Sequence, residues 1–177
     1  MNLMYYLDKG GIVMYFLFFL NIIGFSIIIY KFFHIMYYTK NHHLITEDIK
    51  KELIKSNIQL SAKFMIITLL KDTLSFKMQK LSYGLNTIKI IASISPLIGL
   101  FGTALGVFLS FEEIATLGLD DPSIFAKGIS IALITTLGGL IVAVPHFIAY
   151  NYLTGLIDNL ESFLDSKLVI IGVEALN

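Results

Sequence analysis

The sequence contains neither cysteine nor arginine, and each absence excludes a class of function. Without cysteine, the chain can form no disulfide and no metal site with thiolate ligands. All thirteen cationic side chains are lysine, which argues against the bidentate contacts to phosphates and bases that arginine makes. The sequence therefore does not indicate a nucleic-acid partner.

Charged residues are also scarce, at 15% of the chain against 56% hydrophobic residues. This is too much apolar surface for an ordinary water-soluble globule. Residues 10–30, 90–111 and 128–157 contain no Asp, Glu or Lys, and each window is at least as long as the roughly 20 residues that a helix needs to cross a bilayer core. Because a helix satisfies its own backbone in lipid, we predict an all-α integral membrane protein with three transmembrane helices. The first window is longer than a signal-peptide core and no cleavage site follows it, so we expect it to be retained.

The distribution of lysine predicts the orientation. Lys31 to Lys89 holds ten lysines, whereas Glu112 to Asp121 holds four acids and no lysine. Because lysine-rich loops stay in the cytoplasm, we expect the N-terminus outside and the C-terminus inside. The predicted segments are an extracytoplasmic N-terminus (1–9), span 1 (10–36), a cytoplasmic helical region (37–88), span 2 (89–111), an extracytoplasmic link (112–123), span 3 (124–151) and a cytoplasmic helical tail (152–177).

The segments outside the spans have patterns of their own. Apolar residues recur at three- and four-residue steps from Leu44 to Leu85, with lysines between them, which predicts an amphipathic helical pair or a bent helix that breaks near Ser56-Asn57. The tail repeats this pattern over a shorter stretch, so we expect these helices to bundle, and the third span to continue as a helix beyond the lipid. The acidic link is either a solvated connection or a mouth that gathers cations.

Small residues line one face of each of the last two spans, within arcs of about 120° and 100° on a helical wheel. The two faces comprise Ala92, Pro96, Gly99, Gly102, Thr103, Gly106 and Ser110, and Gly128, Ala132, Thr135, Thr136, Gly139 and Ala143. Either both are packing faces with each threonine bonded to its own helix, or they form a narrow, weakly polar conduit. Since three helices have little use for two such faces, we expect an oligomer or an added helix from another chain.

The spans lack the groups that most membrane chemistry needs. Proton-conducting proteins usually carry an ionisable group at mid-membrane, so a proton path here requires a carboxylate from a partner. An enzyme is disfavoured, because no other histidine or carboxylate lies within a helical turn of His146 to form a metal site or an acid–base pair. We expect His146 to be packed or interfacial, and we predict no metal site.

Two stretches resemble the signatures of the TolQ/ExbB/MotA proton-channel family. The second-span motif is Ser93-Ile94-Ser95-Pro96-Leu97-Ile98-Gly99-Leu100-Phe101-Gly102-Thr103, continuing through Gly106 to Phe111. The third-span motif comprises Gly128-Ile129-Ser130, Ala132-Leu133-Ile134-Thr135-Thr136, Gly139-Leu140, Ala143, Pro145 and Ala149-Tyr150-Asn151. The two motifs stand in the family's order and spacing, and the three-span layout agrees with them.

The resemblance implies a function that periodicity alone does not. Members form an oligomeric ring, a pentamer in the TolQ/ExbB branch, around two copies of a one-span partner similar to TolR or ExbD, whose helix carries an aspartate. By position, Thr103 and Thr136 match the threonines that face this aspartate, with Thr135 beside them in the proton path. The remaining predicted packing and pore-face residues are Pro96, Gly99, Gly102, Gly106, Ser110, Gly128, Ala132, Gly139, Ala143 and Pro145.

The same resemblance implies that the chain is a stator subunit of a motor in the bacterial inner membrane, driven by the proton motive force. The coupling ion is then the proton, no cofactor is needed, and a TolA- or TonB-like protein could receive the energy for outer-membrane integrity or import.

The chain departs from the family at two positions. Ile131 stands where many members have glutamate, which removes a relay through that site, and Thr135 stands where alanine is common. The short cytoplasmic region favours the TolQ/ExbB branch over flagellar MotA, with a slight lean to TolQ. The alternative function is a passive oligomeric scaffold or sensor, and a solute transporter is disfavoured because no internal repeat or midplane site is evident.

Overall fold

The computed structural model describes residues 3–55, 63–118 and 122–174. These ranges contain five helices and no strand, so the predicted all-α class is confirmed. The helices are α1 (Leu3–Lys40), α2 (His42–Lys55), α3 (Lys63–Ser82), α4 (Leu85–Leu117) and α5 (Pro122–Glu174). Three of them, α1, α4 and α5, are long and apolar enough to cross a membrane, which confirms the prediction of three spans.

The ends of the long helices differ from the ends of the apolar windows. Glu112 and Glu113 remain in α4, which ends at Leu117, because glutamate is a good helix former and its charge marks a lipid boundary rather than a helix end. Gly118 terminates the helix at φ +87°, and its N–H donates to the Ile114 carbonyl at 2.8 Å. Glycine adopts this left-handed conformation without a Cβ clash. The helix therefore extends into the predicted link.

α5 runs without interruption through the third span and the tail, as predicted for a span that continues as a helix beyond the lipid. Pro96 and Pro145 both lie inside helices that continue past them. The predicted break near Ser56-Asn57 lies outside the described residues.

The chain divides into two compact units. The first, the span unit, contains α1 as far as Ile28, α4 from Thr87 and α5 as far as Tyr150. The second, the lysine unit, contains the rest of α1, the helices α2 and α3, and α5 from Asn151 onward.

The lysine unit has a core of its own, made by the periodic apolar residues. Its fully buried side chains include Ile35, Ile49, Leu70, Leu74, Leu153, Ile157 and Leu164. At its surface Lys71 pairs with Asp165 at 3.2 Å. Buried Lys31 donates to the Leu81 carbonyl at 3.1 Å, which satisfies one of the free carbonyls at the end of α3. The predicted bundling of the helices outside the spans is therefore confirmed.

The span unit has a small core between its three helices. Val13 and Leu17 of α1 meet Ile91 of α4 and Val142 of α5. Near its N-terminus α1 is kinked at Gly11, which has φ 60° and ψ −151°. Many large apolar side chains on these helices are exposed in the single chain, as expected of surfaces that contact lipid or other membrane helices; examples are Ile12, Phe101 and Ile141.

Candidate functional site

The site is built on the contact between α4 and α5. A Cβ added to Gly99 would lie 3.2 Å from the Cα atoms of both Thr136 and Gly139. About two turns further along α4, and about two turns earlier in α5, a Cβ on Gly106 would lie 3.0 Å from the Gly128 carbonyl oxygen. Glycine is required at such positions because the two backbones are almost in contact.

This packing changes the interpretation of the small-residue faces. The two faces cover each other within one chain, so they do not by themselves call for further copies, contrary to our expectation. The wheel identified a face on each helix but could not reveal which surface that face meets. Oligomerisation therefore rests on the family resemblance alone.

Burial divides the predicted site residues into two groups. Those buried in the described structure are Gly99, Gly102, Gly106, Ser110, Gly128, Ala132, Thr135, Gly139 and Ala143. Those that remain partly exposed are Pro96, Thr103, Thr136 and Pro145. A pore-facing role is therefore open within a single chain only to the second group.

Thr103 and Thr136 meet across the interface. Their hydroxyl groups are hydrogen-bonded to each other, and either oxygen can be the donor. Thr103 Oγ1 also lies 3.1 Å from the Ala132 carbonyl oxygen and 3.3 Å from the Gly99 carbonyl oxygen. Both residues are partly exposed, so the pair lies at the edge of the helix interface rather than fully inside it.

Thr135 is separated from this pair. Its side chain is fully buried and lies against Gly102, where an added Cβ would come within 2.7 Å of Thr135 Oγ1. Its hydroxyl lies 2.9 Å from the Ala132 carbonyl and 3.1 Å from the Ile131 carbonyl. Successive residues of a helix point about 100° apart, so Thr135 lies in the helix interface and presents no surface to a pore from this chain.

An open cleft of about 340 Å³ lies at the end of α4 and α5 nearest Gly118. Ile131, which stands at the family's glutamate position, lines this cleft together with Gly106 and Ser110. At its rim, Lys127 pairs with Glu113 at 3.2 Å; the lysine side chain is largely exposed and the glutamate side chain is partly exposed. Lysine thus offsets part of the acidic charge expected at this mouth.

His146 is fully buried, as predicted for a packed histidine. Its Nδ1 lies 2.7 Å from the Val142 carbonyl oxygen, and its ring meets Phe25 of α1 edge to face at 5.1 Å. Nε2 has no hydrogen-bond partner within the described chain and is so close to Gly24 that a Cβ there would collide with the ring. Sequence reasoning missed this contact, because nothing local relates Gly24 to a residue on α5.

No group of three or more histidine, cysteine or carboxylate side chains comes together as a metal-ligand set in the part of the chain that the structure describes.

The family model for the MotA/TolQ/ExbB proton channel family matches residues 41–166. The chain belongs to this family. The matched range includes both threonines of the exposed pair and the whole α4–α5 contact, so the resemblance inferred from the two span motifs is confirmed. The MotA/TolQ/ExbB family is a membrane channel family. Together with the three apolar helices of this chain, membership supports a multi-pass protein of the inner membrane.

Relatives in this family carry both the ExbB and the TolQ names. The biopolymer transport protein ExbB homolog of Methanothermobacter thermautotrophicus is 40% identical over 84 residues, which are 47% of this chain and 29% of the relative. ExbB of Neisseria gonorrhoeae is 30% identical over 112 residues, 63% of this chain and 51% of the relative. TolQ of Pseudomonas aeruginosa is 39% identical over 82 residues, 46% and 36% of the two chains. The chain thus spans about half or less of these relatives, and the lean to TolQ stays a prediction.

Proposed function

We propose that the chain is a ring subunit of a motor of the TolQ–TolR or ExbB–ExbD type, which uses the proton motive force to transmit energy to the cell envelope. The observation that carries this proposal is the hydroxyl pair of Thr103 and Thr136, partly exposed on two helices whose apolar windows contain no charged side chain. Membership of a proton channel family supports it. So do the names of the relatives, a biopolymer transport protein and a Tol-Pal system protein.

Hydroxyl groups suit the proton step that this function requires. A charged carboxylate is costly inside a membrane unless polar groups receive it. A threonine hydroxyl donates a hydrogen bond to the charged carboxylate and accepts one from the protonated acid. The Thr103–Thr136 pair could therefore hold an aspartate of the partner in both forms while the proton exchanges with water. The proton is the coupling ion, and the chain needs no cofactor and no catalytic residue.

The assembly that we propose is a pentameric ring around a one-span TolR/ExbD-like partner that carries the transmembrane aspartate. The lysine unit lies in the cytoplasm and the N-terminus outside, with a TolA- or TonB-like protein receiving the work. Exposed apolar side chains on α4 and α5, such as Phe101 and Leu133, offer surface for neighbouring subunits or lipid. The positive-inside distribution of lysine supports the orientation.

A passive scaffold or sensor is the second candidate. It is favoured by the mutual burial of the small faces and by the proximity of Thr103 Oγ1 to a carbonyl of its own helix. Both features are those of a structural contact. A scaffold of this kind would pass no protons and would purify without a one-span partner.

The test is proton flux into vesicles that contain the chain co-expressed with the TolR/ExbD-type protein of the same organism. Thr103→Val with Thr136→Val keeps the side-chain shape and removes both hydroxyls. We expect assembly to persist and flux under an imposed membrane potential to fall roughly tenfold or more, since a hydrogen bond to a charged group is worth about 1.5–3 kcal/mol.

The matched control is Thr39→Val, because the Thr39 hydroxyl bonds to the Ile35 carbonyl of its own helix at 2.9 Å and lies in the lysine unit. This variant should conduct like the wild type. Undiminished flux in the double valine variant would remove the threonine pair from the mechanism, and an absence of flux in the wild type would favour the scaffold.

A further inference from the structure

The hydrogen bonds around Thr103 exceed what one hydroxyl can donate. Thr103 has a single hydroxyl hydrogen, yet its oxygen is within reach of the Thr136 hydroxyl, of the Ala132 carbonyl at 3.1 Å and of the Gly99 carbonyl at 3.3 Å. Two arrangements satisfy the pair. In the first, Thr136 donates to Thr103 and Thr103 donates to the Ala132 carbonyl, the nearer of its two backbone acceptors. In the second, Thr103 donates to Thr136 and Thr136 donates outward.

The two arrangements suit opposite charge states of a carboxyl group that approaches the pair at the edge of the helix interface. In the first, Thr136 presents a lone pair and accepts from a protonated acid. In the second, Thr136 presents its hydrogen and donates to a carboxylate. Only hydroxyl groups rotate between the two, and no O–H bond of this chain breaks.

The second arrangement takes the Thr103 hydrogen away from the Ala132 carbonyl. Ala132 is buried, so water cannot replace the lost hydrogen bond, and its carbonyl then keeps only the backbone N–H of Thr136; the loss costs about the net worth of one hydrogen bond. Thr135 supplies the replacement. Its hydroxyl hydrogen can point to the Ala132 carbonyl at 2.9 Å or to the Ile131 carbonyl at 3.1 Å.

The two threonines therefore alternate at one acceptor. The Ala132 carbonyl already receives the backbone N–H of Thr136 within the helix, and a carbonyl oxygen has two lone pairs. One lone pair remains for either Thr103 or Thr135. When Thr103 occupies it, Thr135 bonds to the Ile131 carbonyl, and when Thr103 turns to Thr136, Thr135 takes its place.

We infer that Thr135 is a positioning residue for proton exchange. Its buried hydroxyl keeps the Ala132 carbonyl satisfied while the Thr103–Thr136 pair reverses direction to receive the charged carboxyl of a partner helix. This inference rests on the proposed function. It assigns a role to the Thr135 hydroxyl although that hydroxyl is buried in the helix interface and does not contact a pore.

The threonine hydroxyls are the groups of this chain that can reorient when the charge of the partner's carboxyl changes. Within the described chain no ionisable side chain is hydrogen-bonded to the pair. The charged or histidine residues that flank it along α4, α5 and the membrane part of α1 are Lys89, Glu112, Glu113, Lys127, His146, Asp8 and Lys9.

The test is an infrared titration of the partner's transmembrane carboxyl in the complex with the co-expressed TolR/ExbD-type protein. Thr135→Val removes the hydroxyl in both arrangements. In the first it deprives only the carbonyl of Ile131, a partly exposed residue that lines the open cleft. In the second it deprives the carbonyl of buried Ala132, so the variant disfavours the charged carboxylate more than the protonated acid. The apparent pKa of that carboxyl should rise by roughly half a unit to one unit, the equivalent of one hydrogen bond, and the pH profile of proton flux should move upward with it.

Thr135→Ser keeps the hydroxyl and should titrate like the wild type. Thr135→Ala also lacks the hydroxyl, so it should show the same rise in pKa, and it replaces Thr135→Val if packing prevents the valine complex from assembling. Equal titration of the hydroxyl-bearing and hydroxyl-free variants would overturn the inference. If the titration is unchanged but the Thr103→Val, Thr136→Val variant still loses flux, the role of Thr135 is wrong and the proposed function stands. The failure of the inference can thus be distinguished from the failure of the proposed function.

Discussion

At the scale of single residues, the α4–α5 contact depends on glycines whose hydrogens cannot be replaced. A Cβ on Gly139 would lie 2.5 Å from the Ser95 carbonyl oxygen and 3.1 Å from the Gly99 Cα. Both neighbours are backbone atoms that cannot turn aside as a flexible side chain can. The same contact fixes the distance between Thr103 and Thr136, so a substitution at these glycines would disturb both the helix packing and the threonine pair.

We therefore expect Gly139→Ala to destabilise the chain by about 1–3 kcal/mol, the usual cost of overpacking a tight interface. The measurement is the temperature at which the detergent-solubilised protein loses its monodisperse peak. Gly155→Ala is the matched control in the same helix, because nothing lies within 4 Å of a Cβ there. Alanine should be neutral or stabilising at that position by up to about 1 kcal/mol. Equal melting of the two variants would contradict the close approach.

Residue identity was enough to predict that Thr103 and Thr136 belong together, since their motifs carry the resemblance. It was not enough to place Thr135. The wheel assigns a residue to a face on one helix, whereas the contact with Gly102 and the hydrogen bond to the Ala132 carbonyl depend on how the second helix is rotated. The sequence therefore predicted the same role for Thr135 and Thr136, whereas in the structure Thr135 is buried and Thr136 is partly exposed.

At the scale of helices, α1 contacts α5 through a glycine and a histidine. Gly24 leaves the space that the His146 ring fills, and Phe25 closes one side of the ring. Buried polar atoms without partners are costly in an apolar setting, yet the His146 Nε2 atom has no partner among the described residues. The contact between α1 and α5 therefore depends on the fit of the His146 ring against Gly24 and Phe25, and not on apolar burial alone.

This contact predicts a coupling between the two positions. Gly24→Ala should lower the melting temperature, because its Cβ collides with the histidine ring. In a His146→Ala background the same substitution should have a much smaller effect, with a coupling of about 1–3 kcal/mol between the two positions. A double-mutant cycle measures this difference. Additive effects would indicate that α1 does not meet α5 at this point.

The existence of the long helices could be predicted from the charge-free windows, because length and apolar content are properties of local sequence. Their ends could not. α4 continues through Glu112 and Glu113 until Gly118 stops it, and α5 includes both a span and the tail. The pairing of helices was also beyond prediction, since it depends on contacts between residues far apart in the chain.

At the scale of the whole molecule, the lysine distribution predicts an orientation that cysteine labelling can test. The chain has no native cysteine, so a single introduced thiol reports its own position. We expect Thr116→Cys to react with a membrane-impermeant maleimide added outside intact cells, and Ser166→Cys to react only after the membrane is opened. Both side chains are exposed, so access to the reagent depends on the side of the membrane. The reverse pattern would invert the topology.

The central claim is that the Thr103–Thr136 pair faces a carboxyl group on another chain. The most direct measurement is disulfide formation in native membranes between Thr136→Cys and a cysteine that replaces the transmembrane aspartate of the co-expressed TolR/ExbD-type partner. A disulfide requires Cα atoms about 4.4–6.8 Å apart. The control is Ile141→Cys, which is 70% exposed and lies about 140° away around α5. We predict a cross-link from Thr136→Cys and none from Ile141→Cys; a cross-link confined to Ile141→Cys would contradict the account.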